Sequence, residues 1–166
     1  MQTCLQKYDL VDKPQFIFNC DEKAFLSQYS PPKVVASRTK RLIYSVTPPR
    51  GSTTTVIGCG SAAGQSVPPY FVFGHRARIG DLLDLATRHA PGSAGTLSDN
   101  GWSNTAIFTR FMKEHFYQHL VRDNIDQPVV MLYDGHKSHI SLNLLDWADE
   151  KNIKLPFPPA SRCWLL

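Results

Sequence analysis

The chain has 166 residues, a length that suits one domain and leaves little room for a second. Hydrophobic residues make up 42% and charged residues 19%, which excludes a disordered acidic or basic tail and favours a packed core. A net charge of +4 and a pI of about 8.9 tolerate a polyanionic partner without demanding one.

Residues 1–14 are polar and read as a lead-in ending in Asp12-Lys13-Pro14. Gln15–Cys20 then forms a short aromatic run of the kind a buried strand carries, with Asp21 and Glu22 just past its expected end. Residues 27–41 contain Pro31 and Pro32 with Lys33, Arg38, Lys40 and Arg41, and Arg50 follows a little beyond. Prolines and clustered charge make this a loop, and its cations could contact phosphate or simply be solvated.

Thr53–Gly60 is β-branched and predicts a second strand, Ser61–Gln65 a turn, and Val67–Phe73 a third strand. The short turn predicts an antiparallel hairpin, in which Pro68 and Pro69 have to sit on an edge or at the strand start. Residues 74–101 are polar and glycine-spotted, with a short helix expected around Ile79–Arg88. From Ser103 the pattern turns helical: Ile107, Phe108, Phe111, Met112, His115, Phe116 and Leu120 recur on one face, with Ser103 or Asn104 as N-cap. Trp102 is expected to pack in the core or against the start of that helix. Val129–Tyr133 predicts a fourth strand, Ile140–Ala148 an amphipathic helix capped by Ser138, and Ile153–Phe157 a fifth strand stopped by prolines.

The resulting order, β-β-β-α-β-α-β, is an α/β arrangement: a mixed sheet with helices on its faces, as in an RNase H-like core. Asp21 follows strand one and Asp134 follows strand four. Neighbouring strands would bring both carboxylates to one end of the sheet, where hard oxygen donors suit Mg²⁺. With a third acid, such a site could bind two metal ions for phosphodiester chemistry. Taken singly, each acid could equally close a turn. His136 and His139 could orient Asp134 or contact phosphate, and Glu22 stands beside Asp21 in a similar supporting position. A zinc hydrolase built on His136 and His139 is the weaker alternative, because His75, His89, His115 and His119 supply no second ligand motif.

Cys4, Cys20, Cys59 and Cys163 form no CxxC pair, and no signal-peptide pattern or membrane-length apolar run is present. A reducing intracellular compartment, and no membrane partner, are the expectations.

Five stretches together resemble the DDE superfamily of transposase-type endonucleases, in its Tigger/pogo/jerky group. They are FIFNCDEKAF at 16–25, TTTVIGCGSAAGQSVPPYFVF at 53–73, DNGWSNTAIFTRFMKEHF at 99–116, VVMLYDGHKSH at 129–139 and NIKLPFPPASRCWLL at 152–166. They occur in the family's order and cover roughly residues 8–160.

The resemblance implies an RNase H-like domain over 15–160, preceded by a remnant at 1–14 and followed by a divergent end at 161–166. It also implies ancestral DNA cleavage and strand transfer with Mg²⁺ or Mn²⁺, DNA as partner, a nuclear location, and self-association as an option. Asp21 matches the family's first acid and Asp134 its second. The third acid of the family follows the Pro-Pro loop, where this sequence reads Ala160-Ser161-Arg162-Cys163-Trp164-Leu165-Leu166. Asp146, Asp149 and Glu150 precede strand five and do not match it. The family's N-terminal helix-turn-helix region and closing C-terminal helix have no counterpart here. The expectation is therefore a domain that cleaves weakly or not at all, with some apolar surface bared near its C-terminus. A domesticated, non-catalytic DNA-binding or protein-interaction domain is the rival.

Overall fold

A computed structural model describes residues 2–26, 53–74, 78–125, 127–133 and 141–156. Its centre is a six-stranded mixed sheet in the order β4-β3-β2-β1-β5-β6. The strands are β1 (Ile17–Leu26), β2 (Thr53–Ser61), β3 (Ser66–Gly74), β4 (Ala94–Ser98), β5 (Val129–Tyr133) and β6 (Ile153–Lys154). β1 and β2, and β2 and β3, pair antiparallel; β1 with β5, β5 with β6, and β3 with β4 pair parallel.

Two strands depart from the sequence expectation. β1 was expected to end at Cys20 but continues to Leu26, because its ladder with β2 is unbroken from Phe18↔Ser61 to Leu26↔Thr53. Backbone pairing holds the strand after its apolar run has stopped, so Asp21 and Glu22 lie within it rather than after it. β4 was not expected at all. Its sequence, Ala-Gly-Thr-Leu-Ser, is small and polar, and its Gly95 has a packing reason. A Cβ there would lie 2.6 Å from the Phe71 carbonyl oxygen and 3.1 Å from Leu83 of helix α2 (Ile79–His89), so only glycine lets the helix close on this edge.

The prolines of β3 are accommodated in two ways. Pairing with β4 begins only at Tyr70, and the register against β2 shifts between Ile57 and Cys59. Pro68 and Pro69 together face the single residue Gly58, a β-bulge in which their missing N–H groups break no regular ladder.

The inner face of the sheet is covered by one continuous helical run: α3 (Thr105–Arg110), a π-helical turn (Phe111–Phe116) and α4 (Tyr117–Arg122). Asn104 is its N-cap, its side chain accepting from the Ile107 N–H at 3.0 Å. Inward residues come in pairs four apart: Ile107 and Phe108, Phe111 and Met112, His115 and Phe116. An α-helix of 3.6 residues per turn lets a four-residue repeat drift by about 40° each turn. The wider π turn takes up that drift and keeps all three pairs on the sheet.

Phe116 meets Phe18 edge-on at 5.2 Å, and Phe111 meets Tyr70 at 5.7 Å. Helix α5 (Leu142–Glu150) adds Leu144 and Ala148 to the same core. Its N-cap is Ser141, which accepts from the Leu144 N–H at 3.2 Å, and not Ser138 as expected. Three residues later in the chain, Ser141 still has the extended backbone an N-cap needs. Helix α1 (Gln2–Lys7) and the wholly buried Leu10 show that much of the expected lead-in is folded. Trp102, expected to pack, is 53% exposed. The turn before it is drawn onto β2 through Gly101, whose carbonyl accepts from Thr55 Oγ1 at 2.8 Å, while the indole points away.

Candidate metal centre on strand β1

Strand alternation divides β1 into two faces. Phe18 and Cys20 are buried and Glu22 is half-buried with its Oε1 out of solvent, all turned towards the helical run. Asn19, Asp21 and Lys23 are exposed on the outer face. Asp21 and Glu22, adjacent in sequence, therefore serve different environments.

Asp21 is held within the strand, and its Oδ1 accepts from the Glu22 N–H at 2.8 Å. Directly across on β2 stands Gly58, which offers no side chain to crowd the carboxylate. A Cβ built there would meet only the Asp21 carbonyl oxygen, at 4.0 Å, and no positive φ requires a glycine. The Asp21 carboxylate is thus a hard oxygen donor on an open face, which fits a divalent cation of the Mg²⁺ type.

Behind it the inner face is dry. Burial pushes the Cys20 thiol well above its ordinary range, with smaller contributions from Cys59, Glu22 and Asp21 nearby. Burial likewise pushes Cys59, its partner across the β1–β2 ladder, up to about 12. Both thiols stay protonated at neutral pH and make poor ligands or nucleophiles. Tyr133, on β5, is 2% exposed, and burial raises its phenol.

In the parallel ladder between β1 and β5, Cys20 stands opposite Tyr133. The two strands whose adjacency the paired-acid reading requires are neighbours. Asp134, His136 and His139 lie outside the described residues, as do Lys33, Arg38, Lys40 and Arg41. The expected apolar surface near the C-terminus also falls mainly outside them. Asp146, Asp149 and Glu150 are exposed on α5, and Asp149 is engaged by Lys154 at 2.8 Å. Among the described residues, no three of His, Cys, Asp and Glu gather as a metal site.

Sequence reasoning passed over Gly58 and took His115 only as a residue on the packed face of the long helix. The signals for them were the Gly-Cys-Gly interruption of a β-branched strand and the four-residue repeat of the long helix.

A family model described as "DDE superfamily endonuclease" matches residues 51–165, and the chain belongs to that family. The fold is similar to that of Mos1 transposase. In a paired-end complex with left transposon end the TM-score is 0.54 at 16% identity, covering 96% of this chain and 40% of the other. In a mariner Mos1 paired end complex with Mg it is 0.53 at 17% identity, with the same coverage. These matches define an RNase H-like mixed sheet.

A protein named MFS-type transporter clz9, from Cochliobolus lunatus, is 26% identical over 159 residues. That match covers 93% of this chain but 17% of the fungal protein. Among the described residues, no helix is long and apolar enough to cross a membrane.

Proposed function

We propose that this domain acts on DNA and that Asp21 and Asp134 jointly hold a divalent cation, Mg²⁺ or Mn²⁺. The observation that carries the proposal is the pairing of Cys20 with Tyr133 in the parallel β1–β5 ladder. Asp21 and Asp134 directly follow Cys20 and Tyr133 in the sequence. Neighbouring strands lie about 4.8 Å apart, and successive Cα atoms about 3.8 Å apart. One residue beyond a registered pair, two carboxylates that kept this spacing would be within reach of one ion. Cys20 and Tyr133 both turn inward and Asp21 turns outward, and Asp134 is proposed to share the side of Asp21.

A bound cation would polarise a phosphoryl oxygen and lower the pKa of a coordinated water. The chain's own residues hold and orient: Asp21 supplies an oxygen from a paired, rigid strand, and Gly58 keeps its flank clear for the phosphodiester. Glu22 faces inward and supports the strand from behind. His136 and His139 contact phosphate or orient Asp134. Lys33, Arg38, Lys40 and Arg41 contribute sequence-independent phosphate contacts. Family membership supports DNA as the substrate and the nucleus as the place of action.

Residues 160–166 contain no carboxylate, so a polypeptide of these 166 residues supplies two family acids and not three. It is expected to bind DNA and a cation weakly and not to cut. Titrating Mn²⁺ into the protein, with Asp21→Asn and Asp134→Asn as controls, tests the site: each variant should lose binding. Binding unaffected by either change would refute it. Mg²⁺-dependent nicking of supercoiled plasmid by these residues, lost in Asp134→Asn, would overturn the non-cleaving part. Changing Arg38, Lys40 and Arg41 to Ala should weaken DNA binding and flatten its salt dependence.

A further inference from the structure

The π turn of the long helix and the β-bulge opposite Asp21 meet at a single hydrogen bond. His115 lies in the π turn and is 9% exposed. Its Nε2 is 2.6 Å from the carbonyl oxygen of Pro68. That oxygen can only accept, so Nε2 carries the proton and donates. The ring is fixed between Tyr70, at 5.4 Å, and Phe111, at 5.9 Å.

Pro68 is one of the two residues that face Gly58 where the β2–β3 register shifts. A bulge leaves ladder groups without their regular partners, and neither proline can donate. Without His115 the Pro68 carbonyl would be a poorly satisfied acceptor beneath a helix. The proline ring is also confined on its other side, because Gly92 at φ +85° comes close enough that a Cβ would lie 3.1 Å from Pro68 Cγ. The bulge is therefore clamped from the helix and from the turn before β4. Its single β2 residue, Gly58, is the ladder partner of Asp21.

We infer that His115 is a positioning residue, which fixes the Gly58–Pro68–Pro69 bulge and through it the backbone that presents Asp21 on the open face. The inference rests on Asp21 being a cation ligand, as proposed above. Desolvation lowers the pKa of His115, the Pro68 hydrogen bond opposes it, and the neighbouring His119 and Arg122 add to the lowering. The contact itself requires a proton on Nε2.

The test compares His115→Leu, which removes the donor, with His115→Gln, which keeps an N–H at similar reach. Mn²⁺ is titrated into the ¹⁵N-labelled chain while the amide signals of Asp21 and Gly58 are followed for paramagnetic broadening. Amide hydrogen exchange at Gly58 and Cys59, and far-UV circular dichroism, are recorded in parallel. Leu is expected to weaken Mn²⁺ binding about tenfold, the scale typical of residues that orient a ligand. It should also speed exchange at Gly58 and Cys59, while Gln stays close to the parent in both.

A Leu variant that merely melts earlier and binds Mn²⁺ as the parent does overturns the inference. If Leu does not fold, His115→Asn, too short to reach Pro68, takes its place against Gln. If the parent itself shows no broadening at Asp21, the cation assignment fails, and exchange at Gly58 then decides: faster in Leu, the coupling stands; unchanged, it falls.

Discussion

The two faces of β1 are built by the same ten residues and answer to different physics. Phe18 and Cys20 face a helix lined with aromatic rings, where every group is dry and close-packed. Asp21 and Lys23 face outward, where a charge keeps its solvent and a ligand can approach. A period of two lets one strand serve as core and as candidate site, and it makes neighbouring residues such as Asp21 and Glu22 unequal. Substitutions on the inner face should register as stability, and those on the outer face as binding.

The sharpest contrast lies in thiol reactivity. With Cys59 near 12, its thiolate at pH 8 is rarer than that of an ordinary cysteine by about three orders of magnitude. Iodoacetamide followed by mass spectrometry should therefore label Cys4 long before Cys20 or Cys59, and denaturant should erase the difference. Next comes packing: Phe116→Ala should cost about 3–5 kcal/mol in urea unfolding, since it opens a cavity against Phe18 and Phe111.

A smaller effect is expected from acid. Burial lowers the pKa of His115, so the unfolded chain binds the proton more readily than the folded one. Its contribution to stability is complete above about 6.5, the unfolded value, and falls as the pH drops towards the folded pKa. The slope is at most about 1.4 kcal/mol per pH unit, measurable as a shift in urea midpoint that His115→Gln removes. Smallest is Asp21→Asn, an exposed change that should alter stability by no more than about 0.5 kcal/mol while abolishing Mn²⁺ binding. A large loss of stability there would dissolve the division between the faces.

Much of this was legible from residue order. The hairpin of β2 and β3, the helix at Ile79 and a cap at Ser103 or Asn104 follow from periodicity and turn chemistry, and the structure chose Asn104 and made neighbours of β1 and β5. Other features were not, and three of them show why. The length of β1 depends on a partner strand beginning at Thr53, distant in sequence, which continues the ladder past the apolar run. β4 carries almost no apolar pattern, because its role is to supply backbone pairing to β3 and a bare Gly95 beneath α2. Trp102 was misjudged because an aromatic beside a helix start looks like packing, whereas the Gly101 contact with Thr55 sets the turn's direction and leaves the indole outside.

Composition and motif order by themselves determined the class of fold and the family, and nominated Asp21 and Asp134 as acids of the site, since these depend on local pattern and on residues that keep their order along the chain. The tertiary structure alone decided which face Asp21 occupies, that Gly58 lies across from it, and that a histidine in a π turn grips the bulge on the far side of Gly58. Those relations join residues up to 94 positions apart, from Asp21 to His115. They are set by ladder register and by the fit of a four-residue repeat to a helix that had to widen to meet it.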